Sequence, residues 1–248
     1  MDFKPSELKY DAYGVPILKF VRIEEIATEL LQKRCPNVLR KGCPTPVIDI
    51  LERLQENTHL QYEMADLGTI NGKKILGKVN FPRKKLLLDA SLANDRQIQF
   101  RFTAAHEIGH WVLHRYRPLK LNEQKLVEEF ADDEGSLCRL DSKTPREWVE
   151  QQANVFAAAL VLPITTFQKE LVSAQKQIGI IKNLGIVFLN SAPSSNHDLA
   201  HILAILSNHY GVSKESVKVR LRTQQLLIGE GAQSGRSIRE IMKGGFAG

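Results

Sequence analysis

The sequence predicts an α+β fold. Three observations carry that expectation. Apolar residues recur at helical spacing toward both ends of the chain, an alternating pattern with a strong turn signal fills the stretch from about 60 to 90, and a long helical pattern follows it directly. With 248 residues, 43% hydrophobic and 25% charged, the chain can bury one good-sized core and is not composed like a disordered protein.

Composition also narrows the setting. No apolar run approaches the ~18 residues of a membrane span, so no membrane partner is expected. The opening Met1-Asp2-Phe3-Lys4-Pro5 lacks a signal-peptide apolar region. Cys35, Cys43 and Cys138 are an odd count without C-x-x-C, which argues against a disulfide framework and for a reducing, cytoplasmic location. A net charge of +6 permits contact with nucleic acid without arguing for it.

The elements follow in order. Residues 1–20, broken by Pro5, Gly14 and Pro16, read as a loosely tied N-terminal arm. Ile23, Ile26, Leu30 and Leu31 place a helix over about 22–33, and a second begins near Pro46 with Ile48, Leu51 and Leu54. Leu60, Tyr62 and Met64 then alternate with polar residues as in a half-buried strand. Asn71-Gly72 is a two-residue hairpin signal, because both residues tolerate positive φ. Ile75, Gly77, Val79 and Phe81 share a face of the returning strand, and Lys85 to Ala90 make a third. The expectation is a small antiparallel three-stranded meander, then a cap at Asn94 or Asp95 and a helix reaching about His114. Residues 115–145 look polar and irregular, and the acidic stretch 128–134 reads as a solvated loop. Helix resumes from Pro145 to about Leu162 and again over about 166–175, Ser191-Ala192-Pro193-Ser194-Ser195 is the linker candidate, and two more helices flank a turn at Gly211.

Within the central helix lies His106-Glu107-Ile108-Gly109-His110. Residues four apart on a helix share a face, so the two imidazoles can close on one Zn²⁺, and the intervening glutamate is a candidate general base. On a helical wheel Ile98, Phe102, Gly109 and Leu113 lie within about 80° of His106 on one side, so the histidines edge a buried stripe. Gly109 inside a helix costs ~1 kcal/mol relative to Ala, and close approach by a neighbouring element is the expected return.

A catalytic zinc needs a third protein ligand. His114, eight residues after His106, stands about 12 Å away along the axis, too far to share the ion, and reads as a supporting residue. Glu147 and the 128–134 stretch are further candidates. Glu150 is the better one: it shares a helix face with Asn154, Ala157 and Val161, and small neighbours let another helix come close. Asn154, one turn on, is placed to orient a ligand.

The segments Phe102-Thr103-Ala104-Ala105-His106-Glu107-Ile108-Gly109-His110-Trp111-Val112-Leu113-His114 and Glu150-x-x-Ala153-Asn154-x-Phe156-Ala157-Ala158-x-Leu160-x-x-Pro163 together resemble the ImmA/IrrE metallopeptidases. That resemblance covers about residues 20–165. It implies a compact zincin-like domain over 21–190, with His106, His110 and Glu150 as zinc ligands and Glu107 as catalytic base. It also implies a metallo-endopeptidase whose partner and substrate is a helix-turn-helix repressor of a mobile element or stress regulon. Mn²⁺ is the alternative metal. Two features depart from the family: Gln152 stands where many members carry a second glutamate, and the interval between His110 and Glu150 is long. A substrate peptide would bind extended, along an edge of the small sheet.

Residues 196–228 resemble a helix-turn-helix, with Ser213 as N-cap and Val217 and Leu221 packing inward. Lys214, Lys218, Arg220 and Arg222 are candidate phosphate contacts, so the alternative function is a DNA-binding transcriptional regulator with a structural or vestigial metal site. Residues 229–248 read as a flexible tail. His197, His201, His209 and Tyr210 are candidates, by chemistry alone, for stabilising an oxyanion.

Overall fold

The computed structural model describes residues 8–70, 72–92, 96–116, 129–133, 144–189 and 193–229. The arm is tied more firmly than its prolines suggest. The Asp11 N–H donates to the Val15 carbonyl at 2.9 Å, its Oδ1 accepts from the Val15 N–H at 2.8 Å, and the Ile17 N–H donates to the Lys9 carbonyl at 2.8 Å. Val15, Pro16 and Leu18 are thereby buried.

Helix α1 (Phe20–Arg34) buries Ile23, Ile26, Ala27 and Leu31, a single face at three-and-four spacing. A short α2 (Pro36–Lys41), which the sequence pattern does not signal, starts on its proline and closes at Gly42 with φ 64°. Helix α3 (Val47–Thr58) buries Val47, Ile50, Leu51 and Leu54 and begins one residue after Pro46.

The α+β fold is as expected, but its sheet is not a meander. Strand β1 (Gln61–Ala65) runs parallel to β4 (Lys85–Asp89), with Tyr62 opposite Leu86 and Met64 opposite Leu88. Strand β3 (Lys73–Asn80) lies antiparallel on the other side of β4. The expected hairpin does form next to Gly72, at φ 77°, but it joins β3 to the two-residue β2 (Thr69–Ile70); Asn71 itself lies outside the described residues. The burial explains the order: Leu86 and Leu88 are fully buried, whereas β1 is mostly exposed, so the more apolar strand takes the centre and the polar one an edge. Part of the acidic stretch expected as a loop is a fifth strand, β5 (Glu129–Asp133), antiparallel to β3 from Asn80 to Ile75 with an irregularity near Gly77.

Beyond the sheet come a 3₁₀ turn (Ala90–Leu92) and α4 (Gln97–His114). Asn94 and Asp95, the expected caps, lie outside the described residues, as do Cys138 and the tail from 230. Helix α5 (Pro145–Val161) opens on a capping box in which Thr144 and Glu147 satisfy each other's backbone N–H groups. Helices α6 (Ile164–Gln177), α7 (Pro193–Tyr210) and α8 (Lys214–Thr223) follow, and β6 (Val187–Phe188) pairs with β7 (Leu227–Ile228). The expected linker is in part the first turn of α7, since Pro193 suits that position. One apolar cluster joins Leu31 of α1, Val79 and Leu88 of the sheet, Ile108 of α4, Phe156 of α5, and Ile202, Val217 and Leu221 of the last two helices. No single helix among the described residues is long and apolar enough to cross a membrane.

Asp89 pins the end of the sheet. Its side chain is 1% exposed and meets the Lys74 ammonium at 3.0 Å. It accepts from the Leu67 and Ser91 N–H groups at 3.1 and 3.0 Å, and from the Ser91 hydroxyl. Burial alone would push its pKa up, but the Ser91, Leu67 and Lys74 hydrogen bonds outweigh it and lower the value from 3.8 to about 2. A depressed carboxyl stabilises the fold above its unfolded pKa, and that contribution is lost as pH falls through the folded one. The wild type should therefore lose about 2 kcal/mol of unfolding free energy between roughly pH 5 and pH 2 that Asp89→Asn does not lose. Urea denaturation of both proteins across that range checks the difference.

Candidate metal centre

Helix α4 is not amphipathic where it matters: every residue from Thr103 to His114 is buried. The sheet covers it on one side and α5 on the other. The approach of α5 is as close as backbone permits, because a Cβ placed on Gly109 would stand 3.1 Å from the Ala153 carbonyl oxygen and 3.1 Å from a Phe156 ring carbon. The mid-helix glycine therefore has the packing reason expected of it, and Ala153 supplies the small partner. Here the two helices pass with almost no side chain between them.

That approach faces Glu150 toward the two histidines. His106 Nε2 and His110 Nε2 lie 2.8 Å apart, and Glu150 Oε2 stands 3.3 and 3.4 Å from them. Both imidazoles are fully buried and Glu150 is 16% exposed. Burial would push the Glu150 carboxyl up; the charge of His110 and hydrogen bonding by both imidazoles outweigh it and hold the group well below the usual carboxylate range. The His106 ring is oriented from behind, its Nδ1 lying 2.8 Å from Asn154 Oδ1. An amide oxygen only accepts, so an Nδ1–H donates to it and holds the ring with Nε2 turned toward the cluster.

Whether these residues suit a metal ion follows from the donor set. Three ligand atoms bound at ~2.0–2.1 Å in a tetrahedral arrangement stand about 3.3 Å apart. The two carboxylate–imidazole separations, 3.3 and 3.4 Å, match that, the imidazole nitrogens stand closer at 2.8 Å, and the three side chains form a group that could hold a metal ion. Glu107, next in sequence to His106, is completely buried beneath β3. A Cβ at Gly77 would fall 2.8 Å from its Cγ and Cδ, so β3 crosses directly over the carboxylate. Sequence pattern alone places Gly77 in a strand without this role, although an isolated glycine in an apolar strand signals close approach.

The supporting residues surround this cluster. His114 is 1% exposed, with Nδ1 3.2 Å from His110 Nδ1 and Nε2 3.1 Å from Gln152 Oε1. Gln152, in sequence only a departure from the family pattern, is fully buried, and its Nε2 donates to the Pro16 carbonyl at 2.7 Å. Glu147 is engaged at the N-terminus of α5.

A scan against protein-family models matches residues 64–222 to the IrrE N-terminal-like domain, peptidase M78. The chain belongs to the M78 peptidase family. The resemblance to ImmA/IrrE metallopeptidases read from the two motif blocks agrees with that assignment, and an M78 metallopeptidase is expected to carry a metal-binding cluster of this kind. No curated protein matches the chain. Among solved structures, one described as a Mycobacterium tuberculosis transcriptional regulator is similar at 17% identity and a TM-score of 0.46, over 83% of this chain and 47% of its own. The chain thus spans about half the length of that relative.

The M78 match runs into α8, where one expectation is corrected. Arg220 is not available to a phosphate: it is 1% exposed, its Nε donates to the Leu162 carbonyl at 3.0 Å, and its guanidinium makes a bidentate pair with Glu24. A basic residue in a basic helix reads as surface, but this one falls on the same face as Val217 and Leu221 and is drawn inward with them. Lys214 and Arg222 are exposed and Lys218 half-buried; Ser213 caps α8 as expected, accepting from Ser216 N–H at 3.0 Å. Tyr210 is a core residue whose pKa burial raises to about 12, and His209 points at the Gly42 carbonyl. His197 and His201 lie against each other on an exposed face of α7.

Overpacking the helix crossing should cost both stability and metal. Gly109→Val is expected to lower the unfolding free energy by about 2–3 kcal/mol. In urea-denaturation and metal-titration measurements, the variant should unfold earlier and hold a divalent ion more weakly, because Glu150 is pushed away from the imidazoles.

Proposed function

We propose that the protein is a zinc-dependent endopeptidase that cleaves a regulatory protein, a helix-turn-helix repressor of a mobile element or stress regulon. The observation that carries the peptidase reading is the convergence of His106 Nε2, His110 Nε2 and Glu150 Oε2, with Glu107, next in sequence to His106, buried on the same helix. His106, His110 and Glu150 are the ligands in this reading, Zn²⁺ the ion and Mn²⁺ the alternative. A structural metal site has no need of a further buried carboxylate next to its ligands. The class of substrate rests on the resemblance of the two motif blocks alone.

Bound there, Zn²⁺ supplies a Lewis acid that makes a water molecule acidic and polarises a scissile carbonyl. Glu107 takes the proton of the attacking water on its carboxylate and returns it to the leaving amine. Its position under Gly77 keeps it out of bulk water, and the glycine leaves the carboxylate the space it occupies. Asn154 holds the His106 ring so that Nε2 points into the site. An extended peptide adds to an edge of the sheet in this reading, since both edges of β3, the strand over Glu107, are already paired with β4 and β5.

Two substitutions separate binding from chemistry. Glu107→Gln should keep the bound metal while cleavage of a helix-turn-helix repressor substrate falls about 10²–10⁴-fold. Gly77→Ala should act at the same point without touching a ligand, retaining metal while turnover drops, because its Cβ displaces the Glu107 carboxylate. Metal content and gel-based cleavage assays are the measurements. A Glu107→Gln protein that cleaves like the wild type would sink Glu107 as the base, and a wild type purified without chelator that holds no metal would sink the reading as a whole.

A further inference from the structure

The imidazoles of His197 and His201 lie one helical turn apart on α7 and belong to no part of the buried cluster. Leu199, Ile202, Leu203 and Leu206 turn the opposite face of the helix into the core, so both histidines stand on the outer face and are exposed. Their ring centroids are 4.2 Å apart, at an interplanar angle of 56°. Among the described residues neither ring has a hydrogen-bond partner.

The buried pair gives that arrangement a scale. His106 and His110 have the same four-residue spacing, with ring centroids 4.6 Å apart at 73°, and their Nε2 atoms meet at 2.8 Å. Two nitrogens bound to one ion at ~2.0–2.1 Å stand about 3.3 Å apart. Rings on one helical face reach that separation by side-chain rotation alone, with the backbone unmoved. The helix holds both side chains on one face before an ion arrives, so little further freedom is lost on binding. Among the described residues no third His, Cys, Asp or Glu completes a group with them, and Asp198, the neighbour of His197, does not. Water therefore fills the remaining coordination positions.

We propose that His197 and His201 form a second metal site on the outer face of α7, binding one divalent transition-metal ion through two imidazole nitrogens and water. The site stands independently of the reading of His106, His110 and Glu150 as ligands. Imidazole suits copper, nickel and zinc, so Cu²⁺ binds more tightly than Ni²⁺ or Zn²⁺. Mg²⁺ and Ca²⁺ take oxygen ligands and are refused. In the unfolded chain nothing holds the two rings together, so the bound ion favours the folded helix.

The test follows the ring ¹H–¹³C signals of each histidine by NMR while the full-length protein is titrated with Zn²⁺, Cu²⁺ or Mg²⁺ at about pH 7.5. Signals resolved residue by residue keep the buried cluster out of the reading. Those of His197 and His201 should change together with a single midpoint, shifted by Zn²⁺, broadened by Cu²⁺ at lower concentration, and unmoved by Mg²⁺. His197→Asn and His201→Asn each remove one donor from an exposed position and should leave the fold intact, which urea denaturation checks. Each should raise the Zn²⁺ concentration that moves the surviving ring at least about 10-fold, the loss that follows even when only a ligand's support is removed. A surviving ring that responds at the wild-type concentration would overturn the proposal, because the two histidines would then bind separately. Equal responses to Mg²⁺ and Zn²⁺ would overturn it too, as would rings that no Zn²⁺ or Cu²⁺ moves.

Discussion

The close crossing of α4 and α5 at Gly109 is the constraint on which the site depends. Zinc-type ligation tolerates little error in the position of its donor atoms, since each bond is ~2 Å long. Two of the candidate donors sit on α4 and the third on α5, so the spacing of the helices sets the spacing of the ligands. With no side chain on Gly109 and only a methyl on Ala153, that spacing is set by the Ala153 backbone and the Phe156 ring packed against the glycine. The facing residues then come in register. His106 and His110 are one turn apart on α4, and Glu150 and Asn154 are one turn apart on α5, so one carboxylate meets both imidazoles while one amide holds a ring from behind.

The last two helices share this architecture and are not appended to it. Arg220 reaches from α8 to the Leu162 carbonyl at the C-terminus of α5 and to Glu24 of α1. A guanidinium at that end of α5 faces the negative pole of the helix, and Gln224 adds a hydrogen bond of 2.7 Å to the same glutamate. Burying an arginine is costly unless its donors are met. Here a carboxylate and a helix-end carbonyl meet them together, and the contact ties together three elements far apart in sequence. The geometry that fixes α5 against α4 is thus supported at its far end by a charge that composition alone would assign to the surface.

Much of the site was legible in the sequence because its determinants are local. Helical spacing put His106 and His110 on one face, the small residues of α5 marked a helix that could come close, and the cost of a mid-helix glycine pointed to a tight neighbour. The hairpin before β3 and the cap at Ser213 were readable for the same reason, since a turn and a cap are decided within a few residues. What escaped was decided between distant segments. Alternation shows which face of a strand is buried, but not which strand lies beside it, so the parallel pairing of β1 with β4 was not visible. Charge made the stretch around β5 look like a loop, whereas the need to pair the outer side of β3 makes it a strand. Gln152 gave no local signal at all, because its partners lie 136 and 38 residues away.

Gly77 and Gly109 together show how α4 is held. One lets a strand pass over Glu107 and the other lets a helix pass beside the histidines, so α4 is clasped on both sides at the turn that carries the motif. A side chain at either position would open the site, by lifting β3 or by separating the helices. A glycine in a strand or helix costs of order 0.5–1 kcal/mol relative to Ala. Such a cost is reasonable only where backbone proximity does something a methyl group would prevent. At Gly109 it sets the spacing of the three candidate donors. At Gly77 no ligand is involved, and what the missing methyl preserves is the position of the Glu107 carboxylate. A fold with no use for that carboxylate would gain by filling the space; one that needs it held in a fixed place would not.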